Sequence, residues 1–250
     1  AACLAIQFAA EPLVERISSL VSCLSLKGTE FNDVVKMGRT QLQDAVPMTL
    51  GQEFEAFSVN LGEDIDRLRE ACVLLSEVNL GGTAIGTGIN THPEYGSLAV
   101  RYLAEFSGKP LKPAINLVEA TSDMGAFVLF SGVLRRFAIK LSKISNDLRL
   151  LSSGPRTGFG EINLPPMQPG SSIMPGKVNP VIPEAVNQTA FQVIANDLAV
   201  TLAAEAGQLQ LNAMEPLIIY NLLNSMRMLC AACSMLENRC IKGITANRER

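Results

Sequence analysis

Apolar side chains recur every three or four residues over most of this chain, which is the spacing of one face of an α-helix. In residues 52–78 the repeat averages about 3.5 residues, the period of helices packed in a left-handed bundle. Its apolar positions are Phe54, Phe57, Leu61, Ile65, Leu68, Cys72, Leu75 and Val78. Thr49 and Gln52 have the spacing of a capping box, which marks a helix start. The pattern therefore predicts a bundle helix here.

The same periodicity predicts four more long helices. They cover residues 13–35, 121–152, 182–211 and 216–241. The second of these is apolar on nearly every side, which is typical of a helix at the centre of a bundle. Strand-like alternation is scarce throughout the chain. The sequence therefore predicts an all-α fold, a long-helix bundle formed by a single domain that spans residues 1–250.

Three segments interrupt the helical pattern, at residues 36–50, 81–93 and 154–180. The third contains six prolines. A long irregular segment inside a compact helical domain is usually functional or mobile. We therefore expect residues 154–180 to form a flexible catalytic or binding loop.

The composition points to a surface that is poor in charge. Hydrophobic residues make up 48% of the 250 residues and charged residues 18%. Such a balance favours burial of apolar surface between chains, so we expect an oligomer. The formal net charge of −3 offers no broad attraction to phosphate backbones or anionic lipid, so no nucleic-acid or membrane partner is expected.

Other features concern the cellular setting. No apolar stretch reaches the roughly 18 to 20 residues of a spanning helix without a Gly or Pro. The six cysteines lie in apolar helical patterns, which favours reduced thiols in a cytoplasmic protein over disulfides. The N-terminus lacks Met and a signal sequence, and we interpret the chain as an excerpt of a longer protein.

The scarcity of histidine limits the catalytic and metal-binding sites that this chain can form. His92 is the single histidine, which excludes metal sites that need two imidazoles and makes a metal site unexpected. Its simplest interpretation is a surface or capping residue ahead of a helix. The Cys230 and Cys233 pair lies on an apolar helix and is interpreted as core.

The segment 170–180 carries a different set of polar groups. It offers the hydroxyls of Ser171 and Ser172, the cation of Lys177 and the amide of Asn179, just before a predicted helix N-terminus. This pattern is typical of a loop that handles an anion. A proline-rich connector explains the same composition equally well. A nucleotide phosphate loop is excluded, because five residues separate the two glycines and Val178 replaces the magnesium-binding hydroxyl.

Two segments together resemble a known family. Residues 38–47 (GRTQLQDAVP) and 170–180 (GSSIMPGKVNP) closely resemble two of the three signature regions of the aspartase/fumarase superfamily, and residues 82–90, 119–123 and 146–156 add support. The resemblance runs from about residue 36 to 247. It implies the central helical domain of a homotetramer, whose long helices join one large bundle and whose active sites each combine three subunits.

Within that superfamily the resemblance is to the ammonia-lyase branch. Fumarases usually carry His where this chain has Gln41, and residues 207–216 (GQLQLNAMEP) differ from the fumarase stretch. The resemblance therefore implies reversible deamination of L-aspartate to fumarate and ammonia, without a cofactor. A class II fumarase or related lyase is the alternative, and a non-catalytic helical assembly module is a second.

The resemblance also implies residue roles. Ser171 matches the general base, which removes a proton from the carbon beside a carboxylate and forms an enediolate. The positions that match substrate-binding residues are Thr40, Gln41, Ser172, Lys177 and Asn179. Glu184 matches a supporting acid, although an ordinary acidic residue in a first helical turn explains it as well. No metal or cofactor is implied.

Family members carry an upstream and a downstream domain that are not found in these 250 residues. The upstream domain supplies a further group of substrate contacts. We therefore expect the isolated 250 residues to have little or no activity.

Overall fold

The computed structural model describes residues 1–168, 170, 173–174 and 176–249. In chain order its elements are α1 (Ala2–Glu30), β1 (Val35–Thr40), β2 (Gln43–Thr49), α2 (Leu50–Leu74), β3 (Glu77–Val78), α3 (Tyr95–Ser107), β4 (Lys112–Pro113), α4 (Glu119–Ser122), α5 (Gly125–Leu151), β5 (Ile162–Asn163), α6 (Val181–Glu205), α7 (Glu215–Arg239), a 3₁₀ turn (Ile241–Gly243) and β6 (Thr245–Ala246).

Five of these helices are 25 to 29 residues long, and they coincide with the five that the apolar periodicity predicts. The all-α prediction is therefore confirmed at the level of fold class. The chain divides into two compact units. One contains Ala1–Leu13, Asp66–Arg136 and Val193–Arg227, and the other contains Val14–Ile65, Phe137–Gln192 and Met228–Arg250. Each long helix contributes residues to both units.

The start of α2 follows the capping prediction atom by atom. The Thr49 N–H donates to Gln52 Oε1 at 2.9 Å, and the Gln52 N–H donates to Thr49 Oγ1 at 3.1 Å. These reciprocal bonds satisfy two backbone donors that a helix N-terminus otherwise leaves free. The predicted capping box is therefore confirmed.

Aromatic rings fill the core beside this helix start. The ring of Phe54 is fully buried, and its centroid lies 5.3 Å from that of Phe31 and 5.7 Å from that of Phe57. Both pairs are edge-to-face, the arrangement that aromatic quadrupoles favour. Phe54, Phe57, Leu61 and Leu68 of the predicted apolar face are buried, and Ile65 and Cys72 are half-buried.

Several boundaries differ from the sequence prediction. Helix α1 begins at Ala2 and contains Pro12, whereas the periodicity placed its start at residue 13. Helix α6 ends at Glu205 instead of residue 211, because a bridge between Gln208 and Leu211 begins a turn. Asn212 fixes that turn, since its Nδ2 donates to the carbonyl of Ala203 at 3.0 Å.

The hairpin was not predicted, whereas a helix after the break at residues 81–93 was expected from the position of His92. Residues 35–49 form an antiparallel hairpin of β1 and β2, although the sequence showed only an interruption between helices. Helix α3 follows the predicted break at residues 81–93 and ends at Gly108, whose φ of 65° is the left-handed conformation typical of a helix C-terminus.

The segment Glu215–Gly243 is long and apolar enough to cross a membrane by length and composition, and its most apolar 18 residues have a mean hydropathy of 1.2. However, 44% of its most apolar stretch is buried within the protein. A core helix passes the same test, so this one helix is weak evidence for a membrane.

Candidate active site

The hairpin presents Thr40 and Gln41 to solvent at its tip. Thr40 pairs with Gln43, and the two residues between them, Gln41 and Leu42, have φ values of 53° and 63°. A two-residue turn with positive φ at both central positions matches the right-handed twist of a hairpin. Side chains other than glycine adopt this conformation at an energetic cost. The tip is therefore a tight turn whose geometry the surrounding structure must support.

A bulge lies in β2 just below this tip. Ala45 and Val46 of β2 lie opposite the single residue Gly38 of β1, between the pairs Met37–Pro47 and Arg39–Asp44. A Cβ at Gly38 would lie 3.0 Å from the carbonyl oxygen of Val46, so the two strands approach too closely there for a larger residue without adjustment. Such a bulge changes the strand's twist and the direction of the residues that follow.

The predicted catalytic loop is described in part. Ser171 and Ser172, the predicted base and its neighbour, lie outside the described residues. Lys177 is exposed, and Asn179 is half-buried immediately before α6. A Cβ at Gly170 would lie 3.2 Å from the carbonyl oxygen of Lys177, so the backbone of the loop returns to within contact distance of itself.

Two parts of the loop also lie side by side. Leu164 and Pro165, inside the loop, line a shallow depression together with Asn179 and Pro180 at its C-terminal end. The 3₁₀ turn supports this base, because a Cβ at Gly243 would lie 3.0 Å from Pro165 Cγ. Residues 165 and 179 therefore lie close together, although 13 residues of the loop separate them in the sequence.

Glu184 lies in the first turn of α6, where a negative charge interacts favourably with the helix dipole. Its Oε1 is 3.9 Å from Arg149 Nη2, and both side chains are partly exposed. Arg149 Nη1 also donates to Asn187 Oδ1 at 3.4 Å. The position fits both a supporting acid and an ordinary first-turn glutamate.

The predicted site residues fall into two groups. Thr40 and Gln41 share the hairpin tip, while Lys177, Asn179 and Glu184 share the approach to α6. Among the residues that the structure describes, no hydrogen bond or ion pair joins these two groups.

Sequence reasoning missed a cluster of charged residues beside the hairpin. Lys36 Nζ lies 2.5 Å from Glu53 Oε2 and 2.7 Å from Glu161 Oε2, and Arg39 Nη1 lies 2.5 Å from Glu161 Oε1. The Arg39 guanidinium also lies over the ring of Phe159, at 4.1 Å. The sequence indicates this cluster only weakly. Glu161 follows the glycine-rich residues 158–160 but lies far along the chain from Lys36 and Arg39.

The remaining candidates have simple roles. His92 is exposed, and its Nδ1 accepts a bond from the Glu94 N–H at 3.3 Å, which agrees with a capping role before α3. All six cysteines are free thiols, as predicted. Burial raises the pKa of Cys240 to about 12 and also raises the pKa of Cys233, so these thiols are poor nucleophiles.

Known proteins resemble this chain in sequence and in structure. A family model described as Lyase matches residues 1–195. An aspartate ammonia-lyase from Pseudomonas aeruginosa is 71% identical over 241 residues, which are 96% of this chain and 51% of the relative. One from Escherichia coli strain K12 is 61% identical over 237 residues, 95% of this chain and 50% of the relative.

Solved structures agree with these matches. A fumarate lyase:delta crystallin from Brucella melitensis, bound to cobalt, superposes with a TM-score of 0.97 at 61% identity, over 99% of this chain and 54% of that one. A class II fumarase from Schistosoma mansoni gives 0.95 at 34% identity, over 99% and 55%.

The architecture is thus that of the helical domain shared by fumarate lyases and class II fumarases. The chain belongs to the lyase family that these relatives and the matching family model define. It spans about half the length of the curated relatives that it matches.

Proposed function

We propose that this chain is the central helical part of an aspartate ammonia-lyase, which converts L-aspartate reversibly to fumarate and ammonia. The observation that carries the proposal is the 71% identity to such an enzyme over 96% of the chain. The identity to a class II fumarase is 34% over nearly the same length, which favours ammonia-lyase over fumarase.

The difficult step of this reaction is the removal of a proton from the carbon beside a carboxylate. The electron pair of that C–H bond moves into the carboxylate, which becomes a dianionic enediolate. The C–N bond then breaks, its electron pair leaves with nitrogen as ammonia, and fumarate remains. Because charge accumulates on one carboxylate, donors and cations fixed around it supply most of the catalysis.

Ser171 is the proposed general base, and its hydroxyl must lose a proton before it can act. Lys177 and the N-terminus of α6 provide positive potential in the same segment of chain, which lowers the cost of an alkoxide. Lys177 and Asn179 are proposed to hold the carboxylate that becomes the enediolate, and Ser172 adds a contact. The loop 154–180 is proposed to close over the substrate and exclude water.

Thr40 and Gln41 are proposed to contact substrate from the hairpin tip, with Glu184 as a supporting acid. Each active site is proposed to combine residues of several subunits, as in the family that this chain resembles. Apolar side chains that remain exposed on the long helices support a homotetramer, and a cytoplasmic location is proposed with it. The mechanism needs no metal or cofactor, and no nucleic-acid or membrane partner is proposed.

The test is the Ser171→Ala variant of the full-length native protein. We expect fumarate formation from aspartate, followed by absorbance, to fall at least a thousandfold, because the variant lacks the proposed general base. The melting temperature and oligomeric state should stay unchanged. Unchanged turnover would remove Ser171 from the mechanism.

Two further measurements separate the alternatives. Malate as substrate in place of aspartate would identify a fumarase, and activity with neither would favour a non-catalytic assembly module. The isolated 250 residues are expected to be nearly inactive. Fumarate production by them at the full-length rate would contradict that expectation.

A further inference from the structure

Glu161 holds two cations of the hairpin with one carboxylate. Its Oε1 contacts Arg39 Nη1 at 2.5 Å, and its Oε2 contacts Lys36 Nζ at 2.7 Å. Only 11% of the Glu161 side chain and 7% of the Lys36 side chain are exposed. Solvent and salt weakly screen the charge of such a buried carboxylate, so its contacts with Lys36 and Arg39 strongly determine the arrangement of the three side chains.

The backbone of Glu161 is fixed on both sides. Its N–H donates to the carbonyl of Leu151 at the end of α5, at 2.9 Å, and its carbonyl accepts from the N–H of Asn247, also at 2.9 Å. The side chain of Asn247 donates to the carbonyl of Gly160 at 2.6 Å. The backbone of Glu161 is therefore fixed to the end of α5 and to the C-terminal segment, and its side chain contacts the hairpin.

The hairpin side of the contact lies directly below the substrate-binding tip. Arg39 precedes Thr40, and its guanidinium is held between the Glu161 carboxylate and the ring of Phe159. Lys36 is also paired with Glu53 in the first turn of α2. The left-handed turn at the tip is costly by itself, so its orientation depends on contacts of this kind.

We propose that Glu161 is a positioning residue, which fixes the β1–β2 hairpin against the first part of the loop 154–180 and thereby orients Thr40 and Gln41 for substrate. The proposal rests on the proposed function for the identity of the substrate. It adds a residue that touches no substrate and acts through Lys36 and Arg39.

The experiment compares Glu161→Gln with Glu237→Gln in the full-length native protein. Glu237 is a matched control, because it is also buried and pairs with a lysine, Lys242, at 2.8 Å. Hydrogen exchange of the amides in residues 35–49 and the kinetic constants for aspartate are measured for both. The glutamine removes the charge while keeping the shape of the side chain.

We expect Glu161→Gln to accelerate exchange in residues 35–49 about tenfold, because Lys36 and Arg39 lose their shared anion. The KM for aspartate should rise about tenfold while kcat changes by less than a factor of about three, since binding contacts are lost without loss of the base. Glu161→Asp, which keeps the charge, should restore part of both effects. Glu237→Gln should change neither the exchange nor KM.

Exchange in the hairpin that matches the control, or a fall in kcat with KM unchanged, would overturn the proposal. If Glu161→Gln fails to fold, Arg39→Gln removes one of the two contacts and is expected to give the same two effects at smaller size. Exchange does not depend on the reaction. If the wild-type protein is inactive towards aspartate, the proposed function is wrong. The hydrogen-exchange comparison still tests whether Glu161 positions the hairpin.

Discussion

A methyl group added at Gly51 would lie 2.4 Å from the carbonyl oxygen of Gly28 and 2.7 Å from the Cα of Asn32. These are backbone atoms of α1 and the turn after it, which cannot move as a flexible side chain can. We therefore expect Gly51→Ala to lower the free energy of unfolding by about 1–3 kcal/mol, the usual cost of overpacking. Denaturant unfolding measures this difference.

Gly62 is the matched control on the same helix. Its added Cβ would meet only Val21 Cγ1, at 3.8 Å, which is ordinary contact. Gly62→Ala should therefore stabilise the protein by about 0.5–1 kcal/mol, because alanine loses less entropy in a helix. Equal effects at the two glycines would contradict the close approach of α1 and α2 seen at Gly51.

Single residues also show where sequence reasoning succeeds. Thr49 and Gln52 were predicted to cap α2 and do so, because both partners of the capping box lie within four residues. The turn at Gln41 and Leu42 was not predicted, because neither residue is the glycine or asparagine that usually signals positive φ. The roles of Ser171 and Ser172 stay predictions, since both lie outside the described residues.

At the scale of elements, periodicity located the long helices and failed at their connections. A helix repeats one apolar face over many turns, so its signal accumulates with length. The contact between Arg39 and Glu161 joins residues 122 positions apart, and no local pattern encodes it. The sequence thus predicts a functional role for the hairpin region and the loop, but not how the two are connected.

The junction between α7 and the 3₁₀ turn should make stability depend on pH. Burial of Glu237 opposes its charge, but hydrogen bonds from Lys242 and Ser19 outweigh that effect and hold the pKa of Glu237 below its usual value of 4.5. The ionised carboxylate therefore stabilises the folded state above about pH 4.5, and this contribution is lost as the pH falls through the lower folded pKa.

Glu237→Gln should therefore be less stable than wild type at pH 6, and the difference should shrink as the pH falls below about 4.5. Denaturant unfolding at several pH values between 6 and 3 measures it. Lys242→Gln removes the partner and should reduce the same pH dependence. Parallel curves for wild type and Glu237→Gln would show that this ion pair does not contribute to acid sensitivity.

At the scale of the whole molecule, the long helices keep apolar side chains at the surface. On α6, Phe191, Leu198 and Leu202 are each about 60% exposed and follow one another at spacings of seven and four residues, along one face of the helix. Their pattern matches that of buried helix faces elsewhere in this chain. It agrees with the low content of charged residues and favours contacts with further copies of the chain.

This stripe provides a test of the proposed homotetramer. Leu198→Glu places a charge in the middle of the stripe, where a subunit interface would have to bury it, so the assembly should dissociate to smaller species. Sedimentation of the full-length native protein measures the change. Leu26→Glu is the matched control, because Leu26 is 72% exposed on α1 between the polar Ser22 and Glu30, one turn away on either side. If the tetramer survives Leu198→Glu as well as it survives Leu26→Glu, this face of α6 is excluded from the interface. Dissociation by Leu198→Glu together with loss of aspartate turnover would support active sites built from several subunits.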